Sequence, residues 1–197
     1  LAWKIEQSPL VEKVFVAPGN GGTALEEKIE NINININEIN QLVLFAKQEK
    51  IDLTIIGPEV PLSKGIVDKF IENKLKVFGP RKLAAQLESS KDFAKSFMER
   101  HKIPTAKYKT FTNIKDAHKY INEEGAPIVV KAYGLASGKG VVVAMTIEEA
   151  LIAVDSMLED NLFGDAGARV VIEEFLTGEE VSFIVICDGN SILPLAS

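Results

Sequence analysis

The sequence predicts an α/β protein of two units, a parallel sheet with helices on both faces followed by a small α+β unit. Through the first half, short apolar runs alternate with amphipathic stretches, as in β-α-β units. In the second half, the two apolar runs of "PIVVKAYGLASGKGVVVA" (127–144) flank a glycine-rich segment and are close enough to pair as an antiparallel hairpin. The 197 residues suffice for two hydrophobic cores.

Strand and helix patterns follow one another in the first unit. "KVFVAPGNGG" predicts a buried strand, and "NINININ" (31–37) predicts a half-buried strand because isoleucine alternates with asparagine. "NEINQLVLFAKQEK" predicts an amphipathic helix with Asn37 as its N-cap. The order continues with a buried strand that breaks at Gly57-Pro58, a helix in "SKGIVDKFIENK" and a strand in "LKVFGP".

The candidate binding loops of this unit follow two of its strands. Ligands of an open parallel sheet bind beyond the carboxyl ends of the strands. Those ends are "PGNGGTA" (18–24) and "GPEVPL" (57–62). We therefore expect these two turns to take part in substrate binding.

Residues 81–102 predict a helical stretch in two pieces, the second capped by Ser89 or Ser90 and carrying Lys91 in its first turn. The elements expected beyond it are strand 107–111, helix 113–123, strand 127–132, strand 140–145, helix 146–158, strand 168–174 and strand 181–187. The domains we predict are a first domain at 1–86, a helical linker at 87–104, a small subdomain at 105–178 and the start of a further subdomain at 179–197.

Composition argues against several classes of function. The net charge of −6 does not favour nucleic-acid binding, and no apolar run reaches the length of a membrane span. The single cysteine, Cys187, cannot form an internal disulfide and fits a reducing compartment. We also expect no signal peptide before the first strand. We expect a cytoplasmic protein that binds neither nucleic acid nor membranes.

The glycine-rich segment is a candidate phosphate-binding flap. It is not a Walker loop, because Tyr133 stands where the first glycine is required and a strand follows where a helix is required. Gly134, Gly138 and Gly140 would let backbone N–H groups approach phosphate oxygens, beside the positive charge of Lys131. Considered alone, the segment is equally compatible with a tight turn next to a solvated lysine.

The stretch "VVIEEFLTGEEVSF" (170–183) favours nucleotide binding. A strand that runs into a hinge can offer backbone groups to a purine edge, while nearby carboxylates accept hydrogen bonds from an exocyclic amine or from ribose hydroxyls. A solvated acidic face is the alternative interpretation for any one of its carboxylates, namely Glu173, Glu174, Glu179 and Glu180.

With these segments the sequence resembles the ATP-grasp carboxylate–amine ligases. The matching stretches cover almost the whole chain in the family's order: "VAPGNGGTA", "IDLTIIGPEVPLSKGIVD", "AAQLESSKDFAKSFM", "HKIPTA", "GAPIVVKAYGLASGKGVVVAMT", "FGDAGARVVIEEFLTGEEVSF" and "LPLAS". The resemblance implies a Rossmann-like (pre-ATP-grasp) domain followed by the small ATP-grasp subdomain. It also implies a monomeric ligase of purine biosynthesis that joins glycine to 5-phosphoribosylamine through a glycyl phosphate and releases ADP and phosphate.

The resemblance assigns roles to particular residues. The ATP phosphates would contact Lys91 and the catalytic Lys131, under a flap that includes Gly134, Ser137, Gly138, Lys139 and Gly140. Glu173 would accept a hydrogen bond from the adenine amine, and Glu180 would bind the ribose hydroxyls. The ring edge would meet Glu174, Phe175 and Leu176. The residues expected near phosphoribosylamine are Asn20, Gly21, Thr23, Pro58 and Glu59.

Two features limit what the resemblance implies about catalysis by this chain. The family usually has Asp where this chain has Tyr133, and we expect the bulky phenol to affect how the flap closes. The ligands of Mg²⁺ or Mn²⁺ are expected beyond residue 197, with no metal site in this chain, so we expect the chain alone to bind nucleotide without catalysis. The alternatives are another ATP-grasp ligase, or a non-catalytic nucleotide-binding module.

Overall fold

A computed structural model describes residues 1–133, 140–158 and 169–195 of the chain. The chain divides into two compact units, Leu1–His101 and Lys102–Ser197, and each has its own hydrophobic core. The division falls within residues 87–104, the segment predicted as a linker. None of the described helices is long and apolar enough to cross a membrane.

The first unit combines six helices with four short strands. The helices are α1 (Ala2–Glu6), α2 (Ile39–Gln48), α3 (Glu59–Ser63), α4 (Ile66–Glu72), α5 (Lys82–Ser89) and α6 (Lys91–Arg100). The strands are β1 (Val14–Val16), β2 (Ile29–Asn31), β3 (Thr54–Ile55) and β4 (Val77–Phe78), with a single 3₁₀ turn at Thr23–Leu25. Its core is formed by Val43, Ala46, Ile66, Val67 and Phe70.

The strands of the first unit pair in parallel, as predicted, but they form two separate sheets. β1 pairs with β2, and β3 pairs with β4. Strands of two or three residues make few ladder hydrogen bonds, and those bonds are made within each pair, for example from Thr54 N to Lys76 O (3.1 Å). β1 and β3 are half-buried rather than buried as predicted.

The alternating segment 31–37 is not a strand, so that prediction was wrong. β2 ends at Asn31, and the chain then turns, with Ile34 N donating to Ile32 O (2.8 Å). Asn35 Oδ1 accepts from the backbone N–H of Asn37 (2.9 Å). In this way asparagine side chains compete with the strand ladder for backbone hydrogen bonds. The period-two pattern records only which positions are apolar, so it does not predict that competition.

The start of α2 also differs from the prediction. The helix begins at Ile39 with Glu38, not Asn37, at the N-cap position. The Glu38 carboxylate accepts from Asn35 N (3.1 Å) and from Gln41 Nε2 (2.8 Å). Asn37 instead accepts from Lys64 Nζ through its side-chain oxygen (2.8 Å), so its side chain ties α2 to the segment before α4.

The break between α5 and α6 is confirmed. Ser90 is the N-cap of α6, and its hydroxyl accepts from Phe93 N (3.3 Å). The helix predicted from Ser63 begins later, at Ile66, because Gly65 precedes it in a left-handed conformation (φ 87°) that glycine adopts readily. The residues before that break form the separate short helix α3.

The second unit is built on a four-stranded antiparallel sheet in the order β5-β8-β6-β7. Its elements are β5 (Tyr108–Phe111), α7 (Ile114–Glu124), β6 (Ile128–Ala132), β7 (Val141–Ala144), α8 (Ile147–Leu158), β8 (Val170–Glu174), β9 (Val185–Cys187) and β10 (Ile192–Pro194). The predicted hairpin is confirmed, since β6 and β7 pair antiparallel with Val130 opposite Val142. β9 and β10 form a separate hairpin, and residues 181–184, predicted as strand, are not.

One face of the four-stranded sheet packs against α7 and α8. The core there combines sheet and helix residues, namely Phe111, Ala117, Ile121, Ile128, Val130, Ala132, Ala144, Ala150, Ala153, Val154, Met157, Val170 and Ile172. Asn113 caps α7, accepting from Lys115 N (2.9 Å) and Asp116 N (3.3 Å). The opposite face of the sheet is therefore the one on which side chains can meet a ligand.

Candidate functional site

The register of the central strands determines which side chains share the face away from α7 and α8. Directly opposite residues of an antiparallel pair point to the same side, and successive residues alternate. Val130 and Ile172 are partners within the helix-covered core. The alternate residues form what we call the open face, which includes the partners Lys131 and Val171 and the partners Val129 and Glu173.

Lys131 and Glu173 form an ion pair at the centre of the open face. Lys131 Nζ lies 2.9 Å from Glu173 Oε2. The Glu173 side chain is only 6% exposed and that of Lys131 is 27% exposed. A buried carboxylate requires charged or hydrogen-bonding partners, and a lysine ammonium supplies them. The sequence indicated both residues separately, but only the register brings them together.

Tyr133 and Arg169 lie at one end of the same two strands. Beyond the last paired residues, Tyr133 N donates to Arg169 O (3.1 Å), which extends the ladder. The guanidinium carbon of Arg169 lies 5.0 Å from the centre of the Tyr133 ring, within the range of a cation–π contact. Tyr133, which departs from the family pattern, thus has a specific contact with Arg169. Sequence analysis did not find Arg169.

The opposite end of β8 leads to the predicted adenine hinge. Glu174 N donates to Lys107 O (2.9 Å), and Glu174 Oε2 accepts from Lys107 N (3.1 Å). The Glu174 N–H is therefore engaged within the protein. Leu176 is 63% exposed, and the described residues provide no hydrogen bond to its backbone. Phe175 is half-buried and Glu180 is exposed.

The structure describes only part of the predicted phosphate site. Gly134, Ser137, Gly138 and Lys139 lie outside the described residues. Gly140 is described and buried, and its carbonyl oxygen accepts from Ala132 N (2.7 Å), which closes the β6–β7 hairpin. Lys91 is the first residue of α6 in the first unit, directly after the Ser90 cap.

In the first unit, Asn20 and Thr23 organise the glycine turn through their own hydrogen bonds. Asn20 Oδ1 accepts from Gly22 N (2.8 Å) and Thr23 N (3.0 Å). Asn31 Nδ2 donates to Asn20 O (2.9 Å), and sequence analysis missed this residue because it assigned Asn31 to the alternating strand. These side chains hold the turn's shape, while Gly21 has open space where a side chain would stand.

The second predicted binding loop of this unit is the start of α3. Pro58 is the N-cap in an extended conformation, and the exposed Glu59 is the first helical residue. A carboxylate in the first turn of a helix is favourable for the helix dipole. The position of Glu59 therefore has a structural explanation that does not require a substrate, and its binding role stays a prediction.

Comparison with protein families identifies both units. Residues 1–88 match the model of the phosphoribosylglycinamide synthetase N domain, and residues 89–197 match that of the phosphoribosylglycinamide synthetase ATP-grasp (A) domain. The chain belongs to the phosphoribosylglycinamide synthetase family. This confirms the ATP-grasp resemblance read from the sequence.

Two curated relatives of this chain are both named phosphoribosylamine–glycine ligase. Phosphoribosylamine–glycine ligase of Ralstonia nicotianae is 61% identical over 197 residues, which are all of this chain and 46% of the relative. The protein of that name from Haemophilus influenzae is 62% identical over the same shares. The chain therefore spans about half the length of the curated relatives it matches.

Solved structures support the fold of the phosphoribosylglycinamide synthetase family. The crystal structure of phosphoribosylamine–glycine ligase from Thermotoga maritima covers 93% of this chain and 43% of its own, with a TM-score of 0.72 and 29% identity. N5-carboxyaminoimidazole ribonucleotide synthetase from Thermus thermophilus covers 81% of this chain and 39% of its own, with a TM-score of 0.56 and 18% identity. The second similarity shows a shared α/β fold only.

Proposed function

We propose that the chain is the nucleotide-binding part of a phosphoribosylamine–glycine ligase. The enzyme would use ATP to join glycine to 5-phosphoribosylamine, giving glycinamide ribonucleotide, ADP and phosphate in purine biosynthesis. The observation that carries the proposal is the Lys131–Glu173 pair on the open face (2.9 Å), in the unit that matches the ATP-grasp domain of a glycine-ligase family. Such a pair would offer an ammonium group to a polyphosphate.

The chemistry that such a site must assist is activation of a carboxylate. Glycine's carboxylate is a poor acyl donor, so the γ-phosphoryl group of ATP is transferred to it, which forms glycyl phosphate and releases ADP. The amine of phosphoribosylamine then attacks the acyl carbon, and phosphate leaves. In phosphoryl transfer the protein mainly positions the reactants and neutralises charge. Lys131 would do both, since the buried Glu173 carboxylate restricts where its ammonium can lie.

The adenosine end of ATP would lie towards the hinge after β8. Because the Glu174 N–H already donates to Lys107 O, the N–H offered to the purine edge would be that of the exposed Leu176. Glu173 would accept from the adenine amine and Glu180 from the ribose hydroxyls. Lys91 would supply a further cation to the phosphates, together with the amides of the glycine-rich segment.

A divalent cation, Mg²⁺ or Mn²⁺, would balance the charge of the triphosphate. The described residues contain no group of three histidine, cysteine or acidic side chains that could hold a metal. We propose that its ligands lie outside the described residues. Asn20, Gly21, Thr23, Pro58 and Glu59 would line the phosphoribosylamine site, as loops that follow strands of the first unit.

Formation of ADP by the whole natural polypeptide that contains these residues tests the proposal. ADP should appear with ATP, glycine and phosphoribosylamine together, and omission of either acceptor substrate should abolish it. ADP formation with a different acceptor would contradict the substrate assignment. ATP binding without turnover would instead favour the non-catalytic nucleotide-binding module.

A further inference from the structure

We propose that Arg169, held by the Tyr133 ring, is an additional cation that binds the polyphosphate of the nucleotide on the open face. This inference rests on the proposed ATP-binding function and extends it to a residue that the sequence analysis did not assign. Four features support it: the position of Arg169, its charge balance, its contact with the Tyr133 ring and the direction of β8.

The position of Arg169 follows from the register. Ala132 is paired with Val170, and the hydrogen bond from Tyr133 N to Arg169 O continues that ladder by one residue. Lys131 is paired with Val171, two residues from Arg169 on the same face. Such diagonal cross-strand neighbours lie roughly 7–8 Å apart. Two phosphate groups of one polyphosphate can bridge that spacing.

The charge balance makes Arg169 more available to a phosphate group than Lys131. Lys131 is paired with the buried carboxylate of Glu173, which balances part of the positive charge that Lys131 brings to the face. Arg169 is exposed. Among the described residues, no carboxylate forms an ion pair with it. A guanidinium group is a cation with five N–H donors and no acceptor.

Stacking on Tyr133 orients the guanidinium group without neutralising it. The contact of 5.0 Å between the guanidinium carbon and the ring centre restricts the side chain. A cation–π contact uses the face of a guanidinium group, so its edge N–H groups can still donate to a ligand, and paired N–H donors match phosphate oxygens bidentately. A carboxylate in place of the ring would compete with phosphate for those donors.

The direction of β8 agrees with this role. The strand runs from Arg169 towards the hinge at Glu174 and Leu176, where the adenine is proposed to lie. Five strand residues span about 17 Å, comparable to the length of an extended nucleoside triphosphate. A nucleotide laid along the strand from the hinge would therefore pass Lys131 and bring its phosphates towards Arg169.

Calorimetric binding of ATP and of adenosine to the whole natural polypeptide tests the role of Arg169. Arg169→Ala should weaken ATP binding about tenfold and leave adenosine binding unchanged. Tyr133→Asp, which places a carboxylate beside the guanidinium, should weaken ATP binding in the same direction, whereas Tyr133→Phe should preserve it. Arg100→Ala, which removes another stacked guanidinium (5.9 Å from the Phe97 ring centre), is the matched control.

The outcomes separate this inference from the function on which it rests. Equal ATP affinity in the unchanged protein and in Arg169→Ala would overturn the role of Arg169 and leave the proposed function standing. Equal losses for ATP and adenosine would show that Arg169 supports the fold and would also overturn the inference. No binding of either ligand by the unchanged protein would contradict the proposed function itself.

Discussion

At the scale of single residues, the open face shows how neighbouring strands combine side chains that the sequence indicates separately. Lys131 and Glu173 are 42 positions apart, and the β6–β8 register makes them neighbours. The family resemblance implied that each would contact a nucleotide. It could not predict that they contact each other, because that contact depends on which strands are adjacent and in which register.

Replacement of Lys131 by methionine should destabilise the second unit. The buried Glu173 carboxylate would lose the ammonium 2.9 Å away, and leaving a buried hydrogen-bonding group without such a partner costs about 1–3 kcal/mol. Glu173→Gln in the same background should restore part of the loss, since the remaining side chain is uncharged. Urea denaturation of the single and double variants measures both effects. Additive losses would show that the two side chains do not interact energetically.

At the scale of elements, local sequence predicted the helices and the β6–β7 hairpin well but not the segment 31–37. The hairpin was predictable because both strands and their connection are contiguous in sequence. The segment 31–37 was misread because hydrophobic alternation ignores hydrogen bonds such as that from Asn37 N to Asn35 Oδ1. The separation of β1–β2 from β3–β4 also could not be predicted, since strand order depends on non-local packing.

The packing of α7 against the sheet should make unfolding sensitive to alkaline pH through Tyr120. Burial raises the pKa of Tyr120 above its ordinary value of 10.0, and the negative charges of Glu124 and Glu174 raise it further. The unfolded chain therefore releases this proton at a lower pH than the folded chain. The stabilising contribution is complete below the unfolded pKa and is lost as pH rises through the folded pKa.

Tyr120→Phe isolates that contribution. The free energy of unfolding of the unchanged protein should fall more steeply with pH, from about 9 upward, than that of the variant. Phenylalanine keeps the ring contact with Phe111 (centroids 5.2 Å apart) and removes only the titrating hydroxyl. Parallel pH profiles for the two proteins would contradict the assignment of the shift to Tyr120.

At the scale of the whole molecule, two units match two domains of one ligase family. The second unit covers one sheet face with helices and presents charged side chains on the other. The sequence predicted the two units and indicated Lys131 and Glu173 separately, but not which side chains share this face. It did not indicate Arg169, because a lone arginine before a strand carries no motif, and its stacking on Tyr133 appears only when β6 and β8 are adjacent.

The most direct test of the central claim is the ATP dependence of ligation in the whole natural polypeptide with Lys131→Ala. Lys109→Ala is the matched control, because Lys109 is paired with Ile172 and so belongs to the helix-covered face of the same sheet. Circular dichroism would verify that both variants are folded. We predict that kcat/KM for ATP falls at least about tenfold for Lys131→Ala and stays unchanged for Lys109→Ala. An unchanged KM and kcat for Lys131→Ala would contradict the claim that the open face binds ATP.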